Sequence, residues 1–570
     1  MSVDSSGIPW YALSADPAIR ARIDARLRAW CRADFARRLW AKDYTLWSPV
    51  PVPGLADRLG WLDLPGAMPG AVGDLRTFAQ EVQAEGARHV VLLGMGGSSL
   101  APEVFQRTFG HGSGHPELIV LDSTHPAAVR VVEARLDLRR TLFLVSSKSG
   151  TTTETLSFFR HFWRAVAAAN ATPGEHFVAI TDPGTPLSRL AEQHGFRRVF
   201  LAPPDVGGRY SALSVFGLVP AVLIGVDLEP LARAAVTMAR ACTAAAPDNP
   251  GLALGASLGE LALAGRDKLT FFTSPSLTAL PWWVEQLIAE STGKDGRGIV
   301  PICDEPLAPA ETYGDDRVFV SIQLAGEPSR PLDAALARLE AAGHPVIRIE
   351  LAQKADLGAE FFRWEVATAA AGAALGIQPF DQPDVQLAKD LAAQAVAQRA
   401  APSTGQAAHV DALEVGIPAE HTWALDDALQ AWLQQVKPGD YIGIQAYLAP
   451  TDETAGAFAR IRTLIAATYG VATTLGYGPR FLHSTGQLHK GGPPTGIFLQ
   501  CVDEPPDDLP VPDSPYTFGA LIRAQALGDL RALLQRGRRV LKVHVGRNAA
   551  WGLARLEERL RAAVVQPPKS

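Results

Sequence analysis

Short apolar runs alternate with longer stretches of helical periodicity from residue 89 onward. Because parallel strands are buried on both faces and are joined by helices, this alternation predicts parallel sheets covered by helices on both sides. The first set of runs is "HVVLLGM" (89–95), "ELIVLD" (117–122), "TLFLVS" (141–146), "HFVAITD" (176–182) and "RRVFLA" (197–202). The second set is "KLTFFTS" (268–274), "RVFVSIQL" (317–324) and "PVIRIEL" (345–351). The predicted fold class is α/β, with two sequential doubly wound parallel-sheet domains.

The two ends of the chain carry other patterns. Residues 1–85 are predicted to be helical, most strongly through "DPAIRARIDARLRAWCRADFARRLW". Towards the other end, a tract of small and polar residues is typical of a linker, and a third α/β pattern follows it. The predicted division is a helical segment (1–85), two α/β domains (86–240 and 241–396), a linker (397–421) and a C-terminal α/β domain (422–570).

Length and composition narrow the class of protein. A chain of 570 residues is too long for a single core. Its net charge of −6 provides no basic field, so we expect no nucleic-acid partner. The four cysteines are scattered and no signal peptide is visible, which favours a cytoplasmic location. The longest apolar run, "FGLVPAVLIGV", is too short to span a bilayer, so we expect no membrane partner.

A glycine-rich corner follows the first apolar run. The segment "VVLLGMGGSSLAPEVF" (90–105) predicts a strand, a tight turn and the start of a helix, where backbone N–H groups point at a ligand. A dinucleotide fingerprint would need glycine at Ser99, yet Asp122 ends the next strand, where a ribose-binding acid would stand. A nucleotide, another phosphate ligand and a simple tight turn therefore all remain open for this motif.

A hydroxyl-rich corner follows the third apolar run. Seven of the ten residues in "SSKSGTTTET" (146–155) carry a hydroxyl, whereas a capped turn needs only one. Converging neutral donors next to a helix N-terminus bind phosphate without a metal, so this loop is predicted to hold a single phosphate monoester. The candidate donors are Ser147, Ser149, Thr151 and Thr152, with Gly150 turning N–H groups inward and Lys148 adding positive charge.

A second group of residues offers acid–base chemistry. On a helix through "LPWWVEQLIAEST", Glu290 lies on the same stripe as Trp283 and Leu287, and Gln286 lies one turn earlier. A carboxylate on an apolar face suits a general base. The spacing alone also fits a glutamate at a fraying helix end.

Three further polar residues are candidates for the same site. Arg209 follows two glycines in "PPDVGGRYSALSVFG", where it can stabilise developing negative charge or lie on a surface loop. Gln382 and Lys389 belong to a helix start in "IQPFDQPDVQLAKDLA". Taken alone, Lys389 fits a solvated helix lysine.

Together these segments resemble the phosphoglucose isomerase (glucose-6-phosphate isomerase) family. The matching pieces are "GMGGSSLAPEVF", "SSKSGTTTET", "GGRYSALSVFGL", "EQLIAESTGKDGRGIVP" and "PFDQPDVQLAK", in the family's order over roughly residues 90–390. With its C-terminal "HSTGQLHKGGPPTG", the chain looks most like the isomerase half of fused transaldolase–glucose-6-phosphate isomerases. A transaldolase barrel needs about 250 residues. Only about 85 precede the first predicted strand, so we expect that activity to be absent.

The resemblance implies two sugar-isomerase domains with a sugar phosphate bound between them. It implies reversible isomerisation of glucose 6-phosphate and fructose 6-phosphate in glycolysis and gluconeogenesis, with no cofactor, no metal and a homodimer. By matching position, the phosphate is held by Ser98, Ser147, Ser149 and Thr152, with Thr151 and Lys148 adjacent and Gly97 as a further substrate-binding residue. The remaining roles are Glu290 as the base, Arg209 at the cis-enediolate, and Gln286, Gln382 and Lys389 along the sugar, with Lys389 assisting ring opening.

The chain departs from the family at the ring-opening histidine. That residue follows the base in a His-x-x-x-Gln pattern, but residues 291–343 contain no histidine. The spacing occurs instead from His483 to Gln487 in "LHSTGQLHKGG". We therefore predict that His483, rather than its rival His489, opens the ring, supplied by the same chain or by a partner subunit.

Three alternative functions remain open from the sequence. A dual phosphoglucose/phosphomannose isomerase differs only in the handling of one hydroxyl. A phosphosugar-sensing regulatory protein would keep the hydroxyl loop but could dispense with Glu290, Arg209 and Lys389. A nucleotide-dependent dehydrogenase would use the glycine-rich turn.

Overall fold

Three five-stranded sheets organise the molecule. A computed structural model describes residues 8–327, 329–400, 414–416 and 423–565. Each sheet contains four successive parallel strands of the chain. If these are numbered 1 to 4 in chain order, they lie side by side in the order 2-1-3-4 in all three sheets. The α/β class with parallel-sheet domains, predicted from the apolar runs, is thus confirmed.

The N-terminal region contains one strand that the helical pattern did not predict. Strand β1 pairs antiparallel with the edge strand Val346–Leu351 of the second sheet. Its five residues are all half-buried, so they show no alternating pattern that would distinguish a strand from the surrounding helices. The strand forms because it pairs with that edge strand, which is distant in sequence. The elements are β1 (Trp10–Ser14), α1 (Pro17–Arg32), α2 (Phe35–Trp40) and α3 (Leu64–Ala84).

The first sheet has the strand order β3-β2-β4-β5-β6 and is parallel throughout. Its elements are β2 (His89–Gly94), α4 (Leu100–Phe109), β3 (Glu117–Leu121), α5 (Pro126–Arg135), β4 (Thr141–Ser146), α6 (Thr153–Ala169), β5 (Phe177–Thr181), α7 (Pro186–Gln193), β6 (Arg198–Leu201), α8 (Val215–Leu223) and α9 (Leu228–Ala241).

The second sheet has the order β1-β10-β9-β7-β8, so its four parallel strands carry one antiparallel edge strand. Strand β8 was not predicted because it has only three residues. The elements are α10 (Pro250–Leu263), β7 (Lys268–Thr273), α11 (Leu280–Thr292), β8 (Val300–Ile302), β9 (Arg317–Leu324), α12 (Arg330–Ala341), β10 (Val346–Leu351), α13 (Leu357–Leu375) and α14 (Pro383–Ala400).

The third sheet has the order β11-β15-β14-β12-β13. Of the predicted linker, residues 397–400 end a helix and 414–416 form a strand, and the rest lies outside the described residues. The elements are β11 (Glu414–Gly416), α15 (Trp423–Leu433), β12 (Tyr441–Tyr447), α16 (Asp452–Tyr469), β13 (Ala472–Tyr477), α17 (Gly486–Gly491), β14 (Gly496–Val502), α18 (Phe518–Gln535), β15 (Arg539–His544) and α19 (Ala549–Val565).

Local sequence explains why these elements begin where they do. The apolar run of β2 is covered on both faces, and its residues 90–93 are 0% exposed. Helix α1 begins after Asp16, whose side chain accepts hydrogen bonds from the N–H groups of Ala18 and Ile19 at 2.9 and 3.0 Å. Pro17 occupies its first turn, where no N–H is needed.

Several apolar clusters join the three sheets. One continuous apolar cluster joins the first and second domains through α9, α10 and α13. The third domain has its own cluster and docks on the others through α14 against α18 and α11 against α17. It also contacts the first domain, where the rings of Phe158 and Phe518 stack at 5.9 Å and His125 Nε2 lies 3.1 Å from Asp503 Oδ2, so it lies against both of the other domains. No helix among the described residues is long and apolar enough to cross a membrane.

Candidate active site

The two predicted anion-binding corners lie side by side. Gly94 at the end of β2 pairs in register with Ser146 at the end of β4. A Cβ placed on Gly94 would lie 3.1 Å from the Ser146 carbonyl oxygen and 3.1 Å from the Cβ of Ser98. This is the point at which the strand order of the first sheet reverses, where ligands bind in open α/β sheets.

The glycine-rich turn is glycine-rich because other backbone segments crowd it. A Cβ on Gly97 would meet the carbonyl oxygen of Gly208 at 2.0 Å. A Cβ on Gly96, which has a φ of 54°, would meet the His483 carbonyl oxygen at 2.7 Å. The turn is therefore a junction between the first domain, the loop before α8 and the third domain.

Asp122, the candidate acid for a nucleotide ribose, is paired with other protein groups. Asp122 Oδ2 lies 3.1 Å from Arg480 Nη1 and accepts a hydrogen bond of 3.4 Å from the hydroxyl of Ser99. Burial raises the pKa of Asp122 to about 6, which the nearby Arg480 opposes. Because an arginine of the third domain occupies this carboxylate, the geometry does not favour the dehydrogenase alternative.

The hydroxyl loop closes on itself at the N-terminus of α6. The hydroxyls of Ser147 and Thr152 are 2.8 Å apart, and Ser147 Oγ also accepts a 3.1 Å hydrogen bond from the N–H of Gly150. The hydroxyls of Ser149 and Thr151 form a second pair at 2.9 Å. Both pairs lie beside the positive end of a 17-residue helix, an arrangement that favours an anion.

Lys148 does not point its charge at these hydroxyls. Its ammonium group forms an ion pair with Asp182 and donates a 3.3 Å hydrogen bond to the Pro204 carbonyl. Burial lowers the pKa of Lys148 and raises that of Asp182. The hydroxyl and N–H groups are thus the donors of the loop itself, and Lys148 braces it from the side of β5.

Glu290 lies at the C-terminal end of α11 and is 8% exposed. Its Oε1 is 3.1 Å from Arg209 Nη1, and its Oε2 accepts a 3.1 Å hydrogen bond from Gln286 Nε2. Gln286 Oε1 is buried with no hydrogen-bond partner among the described residues. The predicted base, arginine and glutamine therefore form one connected group.

Arg209 ties that group to the loop that precedes α14. Its Nε donates to the Ser291 hydroxyl at 2.8 Å, and its Nη1 donates to Gln382 Oε1 at 3.0 Å. Its Nη2 donates to the carbonyls of Pro379 and Asp381 at 2.8 and 2.9 Å. A guanidinium held from every side presents a fixed charge, as stabilisation of an oxyanion requires.

His483 enters the site from the third domain of the same chain. Its Nε2 lies 3.0 Å from Glu154 Oε1, and its carbonyl accepts a 2.8 Å hydrogen bond from Gln286 Nε2. Gln525 Nε2 also donates to Glu154 Oε1 at 2.7 Å. Burial alone would raise the pKa of Glu154, but the charge and hydrogen bond of His483 outweigh it, so this pKa is lowered.

The rival histidine lies inside the third domain. The ring of His489 is centred 5.7 Å from that of Phe481 and 4.9 Å from that of Phe498, and its Nδ1 is 3.3 Å from Gln445 Nε2. Burial lowers the pKa of His489 well below its ordinary value. His483, and not His489, contacts Glu154 and Gln286.

Lys389 and Gln382 occupy the rim. Both side chains are exposed. Gln382 lies beside Arg209 immediately before α14, and Lys389 lies in the second turn of that helix. The positive charge of Lys389 is among those that lower the pKa of Glu154, which places it near the Glu154–His483 pair. The structure brings Gln382 into direct contact with Arg209, whereas Lys389 influences the site through its charge.

Sequence reasoning missed two residues that the geometry brings forward. Glu154 belongs to the hydroxyl-rich stretch. The only feature of the sequence that marked it was its position as an acid in the first turn of a helix, which is common because the helix dipole favours it. Lys294 Nζ donates to the Gln378 carbonyl and to Asp381 Oδ1, both at 2.6 Å. Burial lowers the pKa of Lys294 to about 8. No periodicity marks a lysine in a glycine-rich turn as buried.

Known proteins that resemble this chain include several glucose-6-phosphate isomerases. A family model described as "Phosphoglucose isomerase" matches residues 73–299. A glucose-6-phosphate isomerase of Rubrobacter xylanophilus is 29% identical over 384 residues, covering 59% of this chain and 88% of the relative. A probable glucose-6-phosphate isomerase of Natronomonas pharaonis is 32% identical over 336 residues, covering 53% of this chain and 77% of the relative.

A solved structure shares the fold. The crystal structure of a hypothetical protein from Thermus thermophilus aligns with a TM-score of 0.57 at 27% identity, covering 68% of this chain and 100% of that one. Two domains with mainly parallel sheets, a hydroxyl loop at the switch point of the first sheet and a buried glutamate–arginine pair are features of a protein of the sugar-isomerase class. Within that class, the chain belongs to the phosphoglucose isomerase family.

Proposed function

We propose that this protein reversibly converts glucose 6-phosphate into fructose 6-phosphate. The observation that carries the proposal is the Glu290 carboxylate, held at 3.1 Å by both Arg209 and Gln286, with His483 bonded to the same glutamine. A base, a fixed positive charge and a titratable imidazole are the groups that an aldose–ketose isomerisation needs. A phosphosugar sensor has no use for this connected group.

The phosphate of the substrate would bind at the hydroxyl loop. Ser147, Ser149, Thr151 and Thr152 offer hydroxyl donors, and the N-terminus of α6 offers a favourable dipole. Gly97 and Ser98 follow the neighbouring strand β2, where the Gly97 N–H and the Ser98 hydroxyl can complete the cradle, since the Ser98 N–H already donates to the Met95 carbonyl at 3.0 Å. Lys148 would act by bracing the loop through Asp182.

Ring opening would be the work of His483. Because Glu154 is a carboxylate, the Nε2 of His483 must carry the proton of their 3.0 Å hydrogen bond, which leaves Nδ1 to exchange protons. Opening transfers a proton to the ring oxygen and removes one from the C1 hydroxyl, so that O1 becomes a carbonyl. Lys389 would assist by its positive charge at the rim.

Isomerisation would then proceed through Glu290. The carboxylate takes the proton from C2, the C–H electrons form the C1–C2 double bond, and O1 becomes negative. Arg209 stabilises this cis-enediolate. The proton on O2 passes to O1, the C2 carbonyl forms, and Glu290 returns its proton to C1. Gln286 and Gln382 would orient the sugar from either side of Arg209.

A coupled assay tests the proposal directly. Fructose 6-phosphate is supplied without added metal, and glucose 6-phosphate is detected by a separate dehydrogenase step. The proposal predicts steady turnover, and its absence at saturating substrate would refute it. Mannose 6-phosphate in a parallel assay distinguishes the dual-specificity alternative.

Two further expectations accompany the proposed function. A cytoplasmic location and a homodimer are both implied by the family resemblance, and both stay predictions. Because the residues of the site, His483 included, come from one chain, we expect activity per chain to be independent of protein concentration. Light scattering on the purified protein measures the mass of the assembly.

A further inference from the structure

The segment that delivers His483 begins with an arginine that reaches both of the other domains. Arg480 and His483 are the first and last residues of one short 3-10 turn in the third domain. Arg480 Nη2 lies 2.5 Å from Glu103 Oε2 on α4, and its Nη1 lies 3.1 Å from Asp122 Oδ2 after β3. Its guanidinium is also 5.5 Å from the ring centroid of Trp282 on α11.

The two terminal nitrogens of the Arg480 guanidinium bind carboxylates, and its planar face packs on the Trp282 ring. A planar guanidinium binding two carboxylates and an aromatic ring has little freedom to turn, which a lysine could not reproduce. The side chains of Arg480, Glu103 and Asp122 are only 24%, 14% and 11% exposed. Such partly buried ion pairs are screened much less than surface pairs.

The rest of the turn has fewer attachments to the first two domains. The His483 carbonyl accepts a hydrogen bond from Gln286, and its imidazole meets Glu154. Phe481, between them, packs on Tyr447 within the third domain itself. Arg480 therefore fixes the start of the turn, and the position of the His483 ring depends on where that start is held.

We propose that Arg480 is a positioning residue for ring opening, which holds His483 in place against Glu154 by anchoring its turn on Glu103 and Asp122. The inference rests on the proposed function and assigns a specific task to the contact between the third domain and the first. It differs from a general docking role, in which any strong link between the domains would serve equally well.

The chain offers a matched control for general docking. Arg462 on α16 is another buried arginine of the third domain, and its guanidinium donates to the carbonyls of Cys303 and Asp304 at 2.9 and 2.8 Å. It links the third domain to the second without touching the His483 turn. Arg462→Lys therefore weakens docking while leaving the Arg480 contacts in place.

The test separates ring opening from proton transfer in the full-length protein. Ring opening and reclosure exchange the α and β anomers of glucose 6-phosphate, which NMR exchange spectroscopy measures without any transfer at C2. For Arg480→Met we expect anomer exchange and kcat to fall together by about 10- to 100-fold, since a small misplacement of a catalytic group costs this much. KM should change by less than about 3-fold, because the phosphate loop is untouched. Arg480→Lys should recover part of the loss.

Several outcomes would overturn the proposal. Anomer exchange that stays at the wild-type rate in Arg480→Met, or an equal loss in Arg462→Lys, would reduce Arg480 to ordinary docking. If Arg480→Met fails to fold, Glu103→Gln removes one anchor alone, and it must lower anomer exchange at a temperature well below its own melting temperature, where that variant is fully folded. A wild-type protein that does not isomerise at all would refute the proposed function itself, and the first assay detects that case separately.

Discussion

The imidazole of His483 and the carboxylate of Glu154 meet at 3.0 Å, although 329 residues separate them along the chain. The histidine belongs to the third domain, and the glutamate opens the helix that follows the hydroxyl loop of the first domain. Neither domain alone contains the pair. The third domain thus contributes directly to the site instead of being an appendage to a two-domain enzyme.

The first prediction concerns Glu154. Glu154→Gln keeps the shape of the side chain but removes the charge that holds the tautomer of His483. We expect kcat and anomer exchange to fall by about 10-fold or more, within the range that acid–base groups contribute. Steady-state kinetics and NMR exchange spectroscopy measure the two rates.

A second histidine–glutamate pair provides the control. His161 Nε2, on α6 two turns after Glu154, lies 3.3 Å from Glu133 Oε2 on α5, and the Glu133 side chain is 40% exposed. Glu133→Gln should leave both rates within about 2-fold of the wild type, as for substitutions away from a site. Equal effects of the two variants would contradict a specific role for Glu154.

The second prediction is a pH dependence that arises from Lys294. The lysine holds Gln378 and Asp381 in the loop that carries Gln382, and burial lowers its pKa to about 8. The Lys294 side chain is therefore a charged ammonium group below that pH and a neutral amine above it. One unit above a pKa only about a tenth of the groups keep the proton, so kcat/KM should fall about 5- to 10-fold by about pH 9.

Stability should follow the opposite trend. The folded state binds this proton less tightly than the unfolded state, so burial of the ammonium opposes folding below pH 8. That cost should disappear as the pH rises towards the ordinary lysine value of about 10.4. Denaturant titrations at several pH values measure the free energy of unfolding.

An arginine substitution isolates the effect of Lys294. Because arginine stays protonated, Lys294→Arg should keep kcat/KM flat to a higher pH than the wild type does. Lys268 is a buried lysine outside the proposed site, and its Nζ lies 2.7 Å from Asp267 Oδ1. The variant Lys268→Arg therefore serves as the control. An alkaline fall that is identical in all three proteins would assign it to another group.

The third prediction tests the hydroxyl loop. Ser147→Ala combined with Thr152→Ala removes the pair of hydroxyls that meet at 2.8 Å. Leaving a charged phosphate short of donors costs roughly 1.5–3 kcal/mol per hydrogen bond at most. KM for fructose 6-phosphate should therefore rise at least about 10-fold, with a smaller change in kcat.

Another capping pair of hydroxyls lies in the third domain. Thr451 and Thr454 are 3.3 Å apart at the start of α16, outside the proposed site. Their double alanine variant should lower stability without raising KM. An unchanged KM in the Ser147/Thr152 variant would mean that the phosphate binds elsewhere.

Much of the fold could be predicted from the sequence because the parallel strands are short and mainly apolar. Each predicted run of the first sheet became a strand, as in β2 and β4, whose residues are nearly all buried. Strand β1 could not be predicted, because its partner β10 lies more than 330 residues away and gives no local signal. The three-residue strand β8 is too short for any periodicity.

The site was predictable where one element carries several of its residues. Gln286 and Glu290 are one helical turn apart, so their contact follows from the helix itself. The partners of Arg480 and His483 could not be inferred, because they depend on how the third domain docks on the first. The ion pair of Lys148 with Asp182 likewise depends on the pairing of β4 with β5.

The central claim is that Glu290 transfers the proton between C2 and C1. It is tested most directly by converting fructose 6-phosphate in deuterated water and reading deuterium at C2 of glucose 6-phosphate by NMR. Glu285, a half-buried carboxylate on the same helix whose pKa burial raises to about 8, provides the matched control. The account predicts deuterium at C2 with the wild type and with Glu285→Gln, and at least about a 10³-fold slower reaction with Glu290→Gln, which should still exchange anomers. Near-normal turnover by Glu290→Gln would contradict it.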